Sequence, residues 1–224
     1  MIPVCALLLA LCACTFTVAG TVVTPQGPNP RADVVLADDG FGFRLGKPLA
    51  REEIALYIEP QCPHCANLLL EFGDEIERDI KDGCLAVTYR PLTFLDKGAN
   101  TYSAQVSNAL FLAAQPRAEV SAVQLQQYIN NLYAAINPQG GNAWIADIAR
   151  NSQLPSPLAA RIEAGETALD TAAMYSVNKA LLKDQLDSNP YTPAVYDLNA
   201  RAEVEITPDW LATLVGQRPC IAAV

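Results

Sequence analysis

Histidine is almost absent from this sequence: His64 is the only one among 224 residues. A zinc site closed by cysteine and histidine needs four such ligands at suitable spacing. Beyond its first 20 residues the chain has four cysteines, and only one Cys-x-x-Cys pair among them. We therefore expect no zinc site and no other bound metal.

Basic residues are also scarce. The chain has 15 Lys and Arg against 24 Asp and Glu, a net charge of -9, and the basic residues are scattered along it. Proteins that bind nucleic acid need a continuous basic surface, so nucleic acid is not an expected partner. The apolar fraction is 51%, which excludes disorder for most of the length. A chain of this length suits one domain with a large insertion, or two closely joined domains.

No Lys or Arg precedes the uncharged apolar segment at residues 2–19. We interpret residues 1–20 as an export signal that begins upstream or is weak, in preference to a first helix of the fold. Three endings stay open. Leu11-Cys12-Ala13-Cys14 resembles a bacterial lipobox with Cys14 as the lipidated residue. Val18-Ala19-Gly20 would suit ordinary cleavage, and about 18 apolar residues could just span a bilayer as an anchor. We favour the lipoprotein.

Four cysteines remain once the signal is set aside: Cys62, Cys65, Cys84 and Cys220. An even number in an exported chain points to an oxidising compartment and two possible disulfide pairs.

Residue patterns then divide the chain into elements. Residues 21–35, rich in Pro, Gly and Asn, indicate a linker. Residues 54–58 and 85–89 are short apolar runs typical of buried strands. Between them a helix is predicted that ends at Gly83, with one face formed by Leu69, Leu70, Ile76 and Ile80. A helix between two strands in this way predicts a βαβ unit with parallel strands.

The second half is predicted to be helical and then to end in a hairpin. Residues 98–188 have a helical period, with breaks at 137–141 and 155–157. Residues 194–196 and 203–206 predict two hairpin strands around a turn near Asn199. Thr207-Pro208-Asp209 is typical of a helix start, with Thr207 as the N-cap of the last helix. The fold class is therefore α/β.

The sequence Cys62-Pro63-His64-Cys65 follows the first strand and opens the helix. This spacing, in the first turn of a helix, brings two sulfurs close enough to form a disulfide. At the N-cap, Cys62 would face unpaired backbone N–H groups, which stabilise a thiolate. Pro63 occupies the first helical position, where a missing N–H has no cost. The motif therefore predicts a redox-active pair.

His64 has two interpretations. A cation at a helix N-terminus becomes favourable once a thiolate lies beside it, and a protonated His64 would then stabilise the reduced pair. A stabilised reduced form makes the disulfide a better oxidant. The alternative is a solvated surface histidine. We favour the first.

The stretch Glu59-Pro60-Gln61-Cys62-Pro63-His64-Cys65 resembles the active site of the DsbA-like thioredoxin-fold thiol–disulfide oxidoreductases, and in particular exported bacterial members. The resemblance covers about residues 42–216. It implies a thioredoxin-like domain, residues 36–97 and 189–224, interrupted by a helical insertion at 98–188. It also implies that Thr192-Pro193 is a cis-proline loop that binds the substrate chain beside Cys62. Glu59 would either tune the site or be a solvated acid at the strand end.

The function implied by the resemblance is donation of the Cys62–Cys65 disulfide to exported proteins with reduced cysteines. A membrane reoxidase of the DsbB or VKOR type is the implied partner, and no cofactor is required. Two alternatives stay open: a reductase or isomerase, and a surface lipoprotein that binds peptides and keeps a structural Cys62–Cys65 bridge.

A thioredoxin-like order also predicts the second pair. Cys84 begins a strand at the end of the sheet away from the active site. The final helix must run toward that same end, and Cys220 follows it within a few residues. We therefore expect a structural disulfide between Cys84 and Cys220.

Overall fold

The computed structural model describes residues 33–186, 191–216 and 220, and a mixed sheet of six strands lies at its centre. The order across the sheet is β1-β2-β4-β3-β5-β6, and β3 and β4 are parallel while the other neighbours are antiparallel. In chain order the strands are β1 (Val34–Leu36), β2 (Phe43–Leu45), β3 (Glu52–Ile58), β4 (Leu85–Pro91), β5 (Ala194–Asp197) and β6 (Ala202–Val204).

The predicted βαβ unit is confirmed. Strands β3 and β4 are joined by α1 (Pro63–Asp82), and Gly83 ends this helix in the left-handed conformation, with φ 77°. Leu70 was expected on the buried face but is 80% exposed. Leu68 and Leu69 are both buried, and Leu70 lies about 100° further around the helix, which places it beyond the edge of the buried face.

Sequence reasoning missed two strands, β1 and β2, and it placed part of β1 in the predicted linker. Strands β1 and β2 pair with each other, and β2 pairs with β4, which places both in the sheet. The predicted linker at 21–35 therefore extends too far, since Val34 and Val35 belong to β1. The rest of that linker up to residue 32, and the signal segment with Cys14, lie outside the described residues.

A helical block follows β4, as predicted. Its helices are α2 (Tyr102–Ala114), α3 (Ala122–Ala134), α4 (Gly141–Asn151), α5 (Ser156–Glu163) and α6 (Thr171–Leu186). Helix α5 starts within the predicted break at 155–157, because proline is tolerated in the first turn of a helix. One cluster of buried side chains runs from the sheet through α1 into α2–α5. The division into an inserted domain at 98–188 and a sheet domain therefore stays a prediction.

The chain ends with the β5–β6 hairpin and α7 (Trp210–Val215). The second hairpin strand is shorter than predicted and ends at Val204. The expected cap by Thr207 is wrong, because Asp209 is the N-cap of α7. The Thr207 hydroxyl instead donates a hydrogen bond to the Asp209 carboxylate, at 2.8 Å. In the described part of the chain, no helix is long and apolar enough to cross a membrane.

Candidate active site

The Cys62–Cys65 turn lies where β3 ends and α1 begins. Cys62 is the N-cap of α1, with extended backbone angles, and Pro63 occupies the first helical position, as the sequence predicts. Both cysteines are free thiols in this structure. Cys62 is 7% exposed and Cys65 is fully buried. Cys62 is therefore largely covered as well, and it is the more accessible of the two cysteines.

The two thiols have opposite acidities. A hydrogen bond from the Cys65 thiol is the main cause that lowers the pKa of Cys62 to about 5. Thr192 and the backbone N–H groups of Cys65 and His64 lower this pKa further, while burial opposes them. Burial raises the pKa of the Cys65 thiol far above its usual range. At neutral pH the reduced site therefore holds a thiolate at Cys62 and a protonated Cys65.

The loop before β5 covers Cys62. The peptide bond between Thr192 and Pro193 is cis. The Thr192 carbonyl oxygen lies 3.5 Å from the Cys62 sulfur and accepts a hydrogen bond from it when Cys62 is protonated. The loop reaches this position because β5 pairs antiparallel with β3, whose last residues lead into the Cys62 turn. The structure thus brings together the cysteine and the loop that the sequence predicts as its neighbour.

His64 is exposed on the first turn of α1. Among the groups that lower the pKa of Cys62, its contribution comes from its backbone N–H. The proposed role of its imidazole in stabilising the thiolate therefore stays a prediction.

Glu59 is not a solvated acid at the strand end, because it is fully buried. Its backbone N–H donates to the Cys65 sulfur at 3.5 Å. Its carboxyl group accepts hydrogen bonds from the Gln61 backbone N–H, at 2.6 Å, and from the Ser103 hydroxyl. Burial is the main cause that raises the pKa of Glu59 to about 7, and the hydrogen bond from Ser103 opposes this shift. Glu59 is therefore part of the site.

Sequence reasoning missed the polar side chains that hold this turn. The Gln61 amide donates to Asp96 and to the Ser103 hydroxyl, each at 2.9 Å. Its carbonyl oxygen accepts from the Asn100 amide at 2.7 Å. The Asp96 carboxylate also accepts the backbone N–H groups of Ser103 and Ala104, at the start of α2. The residue before Cys62 is thus fixed by the segment that leads from β4 into the helical block.

The other two cysteines lie at the far end of β4. Cys84 and Cys220 form a disulfide, with 4.7 Å between their Cα atoms. Across the described ranges, no group of three or more His, Cys, Asp or Glu side chains is arranged to hold a metal ion.

Fold and site together define a class. A sheet in which β3, α1 and β4 form the parallel unit, with two cysteines opening α1 and a Thr-Pro loop facing the first of them, is a DsbA-like thioredoxin fold. The chain belongs to the thioredoxin family, whose family model matches residues 39–209.

Solved structures give the same fold. A thiol-disulfide oxidoreductase from Corynebacterium diphtheriae, the MdbA protein, aligns with a TM-score of 0.69 at 20% identity, over 83% of this chain and 94% of its own. The MdbA protein from Actinomyces oris aligns at 0.63 and 18% identity, over 83% and 88%. DsbA from Mycobacterium tuberculosis aligns at 0.59 and 18% identity, over 84% and 94%. No curated protein matches the sequence.

Proposed function

We propose that this protein is an extracytoplasmic thiol–disulfide oxidoreductase that donates the Cys62–Cys65 disulfide to exported proteins. The observation that carries the proposal is the difference in acidity between the two thiols, in a turn faced by the Thr192–Pro193 loop. The similarity in fold to proteins described as thiol-disulfide oxidoreductases supports it.

The exchange takes place in two balanced steps. A substrate thiolate attacks the Cys62 sulfur, which forms a mixed disulfide and breaks the Cys62–Cys65 bond. Cys65 leaves as a thiolate and takes up a proton, since the folded protein strongly favours its neutral form. A second substrate thiolate then attacks the substrate sulfur of the mixed disulfide, and Cys62 leaves as a thiolate. The substrate loses two electrons and the cysteine pair gains them.

The acidities also favour this direction. A Cys62 thiolate that is stabilised in the folded protein lowers the free energy of the reduced pair and raises its reduction potential. A protonated Cys65 is a poor nucleophile, so it rarely attacks the mixed disulfide before the second substrate thiol does. Both effects favour transfer of the disulfide to the substrate.

Trapping of the mixed disulfide tests the exchange and the role of each cysteine. Cys65→Ser keeps the Cys62 thiolate, which can attack a disulfide of an exported protein, form a mixed disulfide and release the other sulfur of that protein as a thiolate. Since Cys65 is missing and cannot resolve it, we expect this mixed disulfide to accumulate on non-reducing gels. Cys62→Ser is the matched control and should accumulate none. Adducts formed only by Cys62→Ser would reverse the two roles, and the absence of adducts from both variants would contradict the exchange.

Equilibration with glutathione tests the direction. We expect a potential between about -180 and about -120 mV, the range of disulfide donors. A value near about -270 mV would indicate a reductase, and one below about -300 mV a structural bridge.

The cellular setting is part of the proposal. We infer an exported protein attached to the membrane by a lipid on Cys14, with a reoxidase of the DsbB or VKOR type that restores the disulfide. The Leu11-Cys12-Ala13-Cys14 motif supports the anchor. Labelled palmitate should be incorporated by the wild-type protein and not by Cys14→Ser. A soluble mature protein that begins near Thr21 would contradict lipidation and favour ordinary cleavage.

A further inference from the structure

A groove lies along the edge of the sheet, next to the Thr192–Pro193 loop. Its volume is about 420 Å³. Strand β6 forms one side and is the edge strand of the sheet. The described residues that line the groove are Tyr191, Ala194, Glu203, Val204, Glu205 and Ile206.

The groove is continuous with the reactive cysteine. One of its lining residues, Tyr191, directly precedes Thr192, whose carbonyl oxygen contacts the Cys62 sulfur. In the β5–β6 hairpin, Val195 pairs with Val204. This register, continued by one residue, places Glu205 across from Ala194, two residues from Thr192. A chain bonded to Cys62 would therefore meet Glu205 within a few residues of its cysteine.

The groove presents negative charge and apolar surface together. Glu203 and Glu205 are exposed, and neither forms an ion pair with any described residue. The Tyr191 hydroxyl donates a hydrogen bond to the Glu203 carboxylate. Tyr191 and Ile206 add apolar surface, at 44% and 37% exposure. The complementary ligand is an extended chain with a cationic side chain on an aliphatic stem, which Lys and Arg provide.

We propose that this groove binds the substrate segment next to the reacting cysteine and favours segments that carry Lys or Arg. The inference rests on the proposed function, since it names the substrates of that site. Glu205 is the specificity-determining residue, because its carboxylate has no hydrogen-bond partner among the described residues, whereas that of Glu203 accepts a hydrogen bond from Tyr191. By the register of the hairpin Glu205 also lies across from Ala194, which follows Pro193. The groove presents negative charge only, so it should attract a cationic segment and repel an anionic one. We expect a segment with Arg to react with the Cys62–Cys65 disulfide about three- to tenfold faster than the same segment with Glu.

Three single-cysteine peptides test the charge preference. They are identical except for Arg, Gln or Glu placed two residues after the cysteine. The rate at which each reduces the oxidised protein is divided by its rate with the neutral disulfide of 2-mercaptoethanol. This ratio removes the effect of the added charge on the peptide's own thiol. We expect the Arg peptide to react about three- to tenfold faster than the Glu peptide. The advantage should fall toward one at about 0.5 M salt, where exposed charges are screened.

Variants of the groove assign the preference to Glu205. Glu205→Gln should remove at least about half of the Arg advantage, and Glu205→Lys should make the Glu peptide faster. Asp38→Asn is the matched control: it removes one exposed carboxylate in the turn after β1, at the opposite edge of the sheet, and should leave the ratio unchanged.

The outcomes separate the two proposals. Equal rates for the three peptides would overturn the groove inference and leave the disulfide exchange intact. A charge preference that survives both Glu205 variants would also overturn it, since the preference would then arise elsewhere. If no peptide reduces the protein, the proposed function itself fails, and the inference fails with it.

Discussion

The thiols of Cys62 and Cys65 differ in acidity because the two residues occupy different positions in the first turn of α1. Cys62 is at the helix N-cap, where it receives a hydrogen bond from the Cys65 thiol and lies beside backbone N–H groups. Cys65 is one turn further on and fully buried, so the charged form of its thiol loses its solvation. The order of the motif therefore determines which sulfur forms the mixed disulfide with the substrate.

A single substitution of His64 tests whether its imidazole stabilises the Cys62 thiolate. Its exposed imidazole lies one residue from Pro63 and two from Cys62, so a positive charge there would favour the thiolate. We expect His64→Gln to lower the potential by about 10–20 mV, which corresponds to an exposed charge interaction of at most about 1 kcal/mol. The pH at which Cys62 reacts with iodoacetamide should rise. Asn67→Gln, an exposed neutral change on the same helix, is the control, and equal values for both variants would make His64 a surface histidine.

Glu59 should make the stability of the protein depend on pH. Its pKa is raised from 4.5 to about 7, so the folded protein keeps this proton to a higher pH than the unfolded chain. Unfolding then releases a proton in this window, and the free energy of unfolding falls as the pH rises from 4.5 to about 7. The full effect is about 3 kcal/mol and is complete above that window.

Urea unfolding of the oxidised protein at pH 4.5 and pH 8 measures this effect, since the oxidised form removes the titration of Cys62. Glu59→Gln should reduce the difference between the two pH values by a large part of about 3 kcal/mol. Glu71→Gln, an exposed change on α1, should leave the difference unchanged. The same pH dependence in wild type and Glu59→Gln would mean that folding does not raise the pKa of Glu59.

At the scale of elements, the sequence predicts the strands and helices whose residue pattern is complete within one segment of the chain. Strand β3, helix α1 with its N-cap Cys62 and its end at Gly83, and strand β4 follow from local patterns. Strands β1 and β2 have three residues each, too short for a period to be visible. The burial of Glu59 could not be predicted either, because Ser103 is 44 residues away and only α2 brings it there.

The close packing of α1 against α3 at Gly73 can be tested by substitution. A Cβ added at Gly73 would lie 2.6 Å from the Asn130 side-chain oxygen, closer than van der Waals contact allows. That oxygen accepts a hydrogen bond from Gln126, whose own oxygen accepts one from Tyr89, so Asn130 has little freedom to move. Gly73→Ala should therefore lower stability by about 1–2 kcal/mol, although alanine is the better helix former.

The control for this prediction is Asp74→Ala, on the exposed side of the same helix. Propensity alone should leave its stability unchanged or raise it by about 0.5 kcal/mol. Chemical unfolding of the three proteins makes the comparison. A Gly73→Ala protein as stable as Asp74→Ala would show that α1 and α3 do not approach closely at this point.

At the scale of the whole molecule, the redox turn is held by parts of the chain that are far apart in sequence. The Thr192–Pro193 loop covers Cys62 from one side, and the segment from Asp96 to Ser103 fixes Gln61 on the other. One cluster of buried side chains continues from the sheet into the helical block. The acidities of the two cysteines therefore depend on the complete fold and not on the motif alone.

The Cys84–Cys220 disulfide closes a long loop, since its two cysteines are 136 positions apart in sequence. Cys84 is buried at the start of β4, and Cys220 packs partly buried against the same core as α7, whose Trp210 contacts Phe72 of α1 edge to face. The bridge thus attaches the C-terminal segment to the sheet at the end away from Cys62. Because a cross-link restricts the unfolded chain most when its loop is long, removal of the bridge should cost about 2–5 kcal/mol.

Cys84→Ser and Cys220→Ser should therefore each lower the free energy of unfolding by about 2–5 kcal/mol, and the double variant by no more than the larger single effect, because one bond is lost in all three. Mass spectrometry of unreduced peptides should find Cys84 linked to Cys220 in the exported protein. The link should persist in glutathione that reduces Cys62–Cys65, since structural disulfides have potentials below about -300 mV. A free thiol at either position in the exported protein would contradict the pairing, whatever the state of Cys62 and Cys65.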